Sequence, residues 1–110
     1  MFKWLTKQSV QSDKGFIVQS AGRFALQYID GTKKITVNCV NEGEHPNGQF
    51  FEVVKSDNFE KWDDGTPIPS NQQEEIKRNF KDGMAFQNID IIIDDNPSLT
   101  EKEIRKQLDL

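Results

Sequence analysis

A chain of 110 residues, 35% hydrophobic and 29% charged, can bury one core but not two, and this composition excludes a disordered chain. One cysteine, Cys39, excludes an intramolecular disulfide and every zinc site built on several thiolates. The net charge of −4 hides an asymmetry: residues 1–38 carry six bases against two acids, the rest eight bases against sixteen acids, a balance that draws in basic partners and repels phosphate backbones.

Residues 1–14 set Phe2, Trp4 and Leu5 among polar residues with weak alternation, which predicts an edge strand or a short ordered tail. From Gly15 the hydrophobic period becomes two. Phe16 and Val18 share one face of a first strand; Phe24, Leu26 and Tyr28 share a face within residues 23–29; Ile35, Val37 and Cys39 share one within residues 33–40. Asp30-Gly31 between the second and third strands predicts a tight hairpin, because such turns need positive φ. Residues 41–48 read as a long polar loop, and residues 49–55 as a fourth strand with Phe51 and Val53 opposite Phe50 and Val54. Pro67-Ile68-Pro69 ends the sheet run, since proline donates no ladder hydrogen bond.

Ser70 and Gln73 have capping-box spacing, and Ile76, Phe80 and Met84 then recur at helical intervals, predicting a helix that ends near Gln87. Ile89, Ile91 and Ile93 alternate as a fifth strand, and Ser98 with Glu101 opens a short C-terminal helix carrying Leu99, Ile104 and Leu108. The expected fold is α+β: a twisted antiparallel sheet of about five strands, one main helix packed on a face, and a short C-terminal helix, all in one domain. No apolar run approaches the ~20 residues of a membrane span, and the first eight residues lack the apolar stretch of a secretory signal. A cytoplasmic protein with no membrane partner is expected.

Catalytic chemistry finds little support. His45 is the one histidine and lies in a loop, where solvent exposure is the ordinary state. Cys39 shares the face of Ile35 and Val37, the setting of a small core residue rather than a nucleophile. Paired carboxylates, Asp63-Asp64, Asp94-Asp95 or Asp57 with Glu60, are the remaining acid–base or Mg²⁺ option. They sit beside turn residues, so no enzyme activity, cofactor or metal is expected. Arg23, Lys33 and Lys34 interleave with Phe24 and Tyr28 in the manner of a single-stranded nucleic-acid platform, but a pI of about 4.9 weighs against nucleic acid as a partner.

The strand at residues 49–55, then Trp62-Asp63-Asp64-Gly65-x-Pro67-Ile68, then the capped helix and the Ile-rich strand resemble a group of small bacterial immunity proteins. These neutralise the toxin domains of polymorphic-toxin and contact-dependent growth inhibition systems. The likeness runs from about Arg23 to Ile93 and takes in the hairpin at Tyr28–Ile35; residues 1–22 and 97–110 look like additions to the family's compact form. The resemblance implies an antitoxin that binds a secreted toxin domain and blocks its active site. A basic nuclease is the toxin that best suits the acidic charge. The acidic residues Glu42, Glu44, Asp57, Glu60, Asp63 and Asp64 are then the candidate partner-binding surface. A nucleic-acid-binding module using the basic hairpin, or a small carboxylate-dependent hydrolase, are the alternatives.

Overall fold

The alternating runs form strands, and they join in chain order. In a computed structural model that describes residues 1–95, the strands are β1 (Phe2–Thr6), β2 (Ser9–Ser12), β3 (Ile17–Ser20), β4 (Ala25–Asp30), β5 (Lys33–Glu44), β6 (Phe50–Lys55) and β7 (Ile89–Asp94). They make one seven-stranded sheet in the order β1-β2-β3-β4-β5-β6-β7. A 3₁₀ turn (Ser56–Phe59) follows β6, and α1 (Ser70–Phe86), the one α-helix among the described residues, lies between β6 and β7. The architecture is α+β with one main helix. The predicted C-terminal helix lies outside the described residues.

The sheet exceeds the expected five strands because residues 1–12 contribute β1 and β2. Val10 of β2 is fully buried opposite Val18 of β3, so this segment belongs to the core. The sheet is also not wholly antiparallel. β7 runs parallel to β6, pairing Phe50 with Ile89 through Lys55 with Asp94. A strand–helix–strand crossover carries the chain back to the end of the sheet where β6 began, and the next strand then runs in the same direction.

The predicted hairpin is present: β4 and β5 pair from Ala25↔Asn38 to Asp30↔Lys33, with Gly31 at φ +62 in the turn. β5 is longer than its hydrophobic run. Its first half, 33–38, pairs with β4 and its second half, 39–44, with β6, with a bulge between Cys39 and Asn41. The long polar loop thus shrinks to a turn, closed by the His45 N–H donating to the Gln49 carbonyl at 2.8 Å.

The helix presents Ile76, Phe80 and Met84 to the sheet as its spacing predicts, and Gln87 is its C-cap. Gly83 is also buried, and a Cβ there would lie 2.6 Å from Val18 Cγ2. The expected Ser70–Gln73 capping box does not form. The N-cap is Pro69, and Gln73 Nε2 donates instead to the Ile68 carbonyl at 2.7 Å. Phe2 near one sheet edge and Ile89 and Ile93 at the other pack against the same core, so the sheet curls around the helix.

Candidate protein-binding surface

The Trp62–Ile68 segment is a structural clasp on β5. β6 pairs only with the second half of β5, leaving one edge of the first half without a strand neighbour. The chain after β6 fills that edge. The Asp63 N–H donates to the Lys34 carbonyl at 2.8 Å, and the Asp63 carboxylate accepts from the Thr36 N–H at 2.8 Å and from Thr36 Oγ1 at 2.7 Å. The Asn38 N–H donates to Asn58 Oδ1 at 3.2 Å. Side chains thus satisfy backbone groups that a strand would otherwise pair.

Asp64 holds the turn that presents Asp63. Its Oδ1 accepts from the Thr66 N–H at 2.9 Å, and Lys33 Nζ donates to its Oδ2 at 2.6 Å and to Thr66 Oγ1 at 3.2 Å. The hydrogen bond from Lys33 and those from Thr66 hold the Asp64 carboxyl well below the usual aspartate range. Trp62 is buried and stacks on Tyr28 with ring centroids 6.5 Å apart, and Ile68 is buried beyond the turn. Asp63 and Asp64, expected at a partner surface, are therefore engaged within the fold.

The remaining four acids are exposed, and none of the ion pairs among the described residues engages them. They fall into two groups. Asp57 and Glu60 follow β6, near Asn38. Glu42 and Glu44 lie in the far half of β5, on strand rather than in the expected loop. At ~3.3 Å per residue, Glu44 stands about 20 Å along β5 from Asn38. The candidate acids thus span an elongated flank rather than one cluster.

Pairing partners on adjacent strands share a face, so the far half of β5 reads as three rungs with β6 and β7. Cys39, Val54 and Ile93 form the inner rung, Glu42, Glu52 and Ile91 the middle one, and Glu44, Phe50 and Ile89 the outer one. Val54 and Ile91 are buried under the helix, whereas Phe50 is 58% exposed. Glu52 stands at the transition. Its Oε2 is buried with no hydrogen-bond partner among the described residues, and burial first, then the Glu42 charge, pushes its carboxyl above the ordinary glutamate value. Sequence reading passed over Glu52. The available signal was an acid flanked by Phe50 and Val54 on a hydrophobic strand face.

On the opposite face, His45 Nε2 lies 3.0 Å from Asp90 Oδ2 and its ring packs on Phe51, which covers Gly43. Asp94 pairs with Lys55 at 2.6 Å. Cys39 is buried and its thiol donates to the Asn41 carbonyl at 2.9 Å; burial raises its pKa, away from the thiolate a nucleophile needs. Among the described residues no group of three or more His, Cys, Asp or Glu side chains is placed to hold a metal. In the basic hairpin, Tyr28 is buried and Lys33 is bound to Asp64, which leaves Arg23, stacked 4.9 Å over the exposed Phe24 ring, as its aromatic–cation pair.

Together these features define an α+β scaffold with an acidic, partly apolar flank on β5 and β6. No protein-family model, curated protein or solved structure matches the chain. No helix among the described residues is long and apolar enough to cross a membrane.

Proposed function

We propose that this protein is an immunity protein: it binds a basic secreted toxin domain, a nuclease in the simplest case, and blocks its active site in the cytoplasm. The observation that carries the reading is the set of exposed carboxylates with no cationic partner among the described residues, Glu42 and Glu44 on β5 with Asp57 and Glu60 after β6, along one flank. Such a flank supplies electrostatic steering toward a cationic substrate cleft and complementarity once docked. The resemblance across Arg23–Ile93 supports the same reading. The protein acts by binding, and the chemistry belongs to its partner.

The test is co-expression with the toxin domain encoded in the adjacent reading frame, scored by cell survival and by association kinetics of the purified pair. Reversing Glu42, Glu44, Asp57 and Glu60 to lysine should leave the fold intact, slow association and remove most of its salt sensitivity. Full protection by the reversed variant, with unchanged rates at low salt, would overturn this reading.

A further inference from the structure

The middle and outer rungs pose a question that folding alone does not answer. Glu42 and Glu52 are direct cross-strand neighbours on one face, an arrangement that repels. Glu52 also keeps a buried oxygen without a partner among the described residues, which costs free energy that a hydrophobic residue there would avoid. Directly beyond lies Phe50, a large aromatic more than half exposed at the sheet's end. Where a sequence breaks local rules of charge pairing and burial side by side, function is the usual compensation.

The same residues line a groove of about 440 Å³, in which Phe50 and Ile89 supply apolar surface and Glu42, Glu44 and Glu52 supply carboxylates. It opens where β7 begins, at the opposite end of that strand from Asp94, where the chain leaves the sheet. We infer that this groove is a docking site for an arginine-bearing segment of a protein partner, with the guanidinium between Glu42 and Glu52 and its stem along Phe50 and Ile89. Charge complementarity fixes the occupant. A guanidinium offers planar paired donors to carboxylates and packs favourably on an aromatic face. Bound there, it would neutralise the Glu42–Glu52 repulsion and, once the Glu52 carboxyl turns toward it, pair the buried oxygen that has no partner among the described residues. The site deepens the reading of the protein as a binder of basic partners, and rests on it only for the partner's biological identity.

The probe is a hexa-arginine peptide, with hexa-lysine and hexa-citrulline as controls, titrated into the isotope-labelled protein and followed by backbone NMR. The expected shifts centre on residues 42–44, 50–52 and 89. Hexa-arginine should bind more tightly than hexa-lysine, and hexa-citrulline should not bind. Glu52→Gln and Phe50→Ala should each weaken binding, Glu52→Gln by about tenfold, the scale of one charge-assisted hydrogen bond. Lysine at both Asp57 and Glu60 should change it little. Shifts spread evenly over all acidic residues, or equal binding by the citrulline peptide, would overturn the proposal. Groove binding without protection from any toxin would instead remove the immunity reading and leave the groove standing.

Discussion

Gly83→Ala places two helix effects in opposition, and the structure decides their sign. In an exposed helix interior, replacing glycine by alanine stabilises by about 1 kcal/mol through backbone entropy. Gly83 is buried, and an added Cβ would meet Val18 Cγ2 at 2.6 Å and Val18 Cβ at 2.8 Å. Neither atom is the end of a flexible chain: Val18 Cβ is fixed to the backbone of β3, and a β-branched side chain has few rotamers to offer. Relief requires the helix to move off the sheet, an overpacking cost at the upper end of the usual ~1–3 kcal/mol. The net expectation is a loss of ~2 kcal/mol. With a urea m-value of about 2 kcal/mol/M, the unfolding midpoint falls by about 1 M at constant m. Asp82→Ala, one residue away and exposed, serves as the control and should shift the midpoint little. A Gly83→Ala variant as stable as the parent would show that α1 does not sit this close to β3.

Three further outcomes follow from the same packing. Asp63→Ala removes both acceptors from Thr36 and should destabilise by about 1–2 kcal/mol, less than two charged hydrogen bonds in a dry site because Asp63 is exposed; an unchanged denaturant midpoint would sink the clasp. Trp62→Ala should cost about 3–5 kcal/mol, the loss of a large buried aromatic that is 8% exposed and stacked on Tyr28, and a midpoint within error of the parent would contradict its burial. Glu52→Gln should stabilise by about 0.5–1 kcal/mol at neutral pH, the scale of a cross-strand like-charge repulsion. The Glu52 pKa is raised in the fold, so its charge destabilises above that pKa. The gain should therefore fade as pH falls through the native value toward the ordinary 4.5. A gain independent of pH across that window would refute this assignment.

Strand faces and the helix stripe were legible because they depend on local periodicity, except that Phe24, expected on the face of Leu26 and Tyr28, precedes β4 at φ +62 and is exposed. Leu26, Tyr28, Ile35, Val37, Ile76, Phe80 and Met84 are all buried where the pattern of two or of 3.6 residues puts them. What failed depended on contacts between segments. β2 reads Ser-Val-Gln-Ser, with one large apolar residue, and becomes a strand because β1 and β3 flank it. β5 runs past its hydrophobic stretch to Glu44 because β6 pairs with that polar half. Ser70 has the spacing of a cap, but Pro69, preset near helical φ and preceding it directly, takes the N-cap position.

The candidate site divides along the same line, and the division alters which acids deserve mutation. Asp63 and Asp64 looked like solvated loop charges; each instead satisfies groups on β5 or in the turn that a strand neighbour or water would otherwise serve. Reversing their charge breaks the clasp, so lost binding in such a variant would report on folding. Glu42 and Glu44 have no such duty among the described contacts, and Glu52 has the opposite one, since its charge works against the fold that holds it. An acid that stabilises its own fold is weak evidence of a binding surface, and an acid the fold must tolerate is stronger evidence. By that measure the interface centres on the Glu42–Glu52 rung with Phe50 beyond it. Asp57 and Glu60 lie near Asn38, four residues or about 13 Å along β5 from that rung, and contribute to the approach of a basic partner more than to its grip.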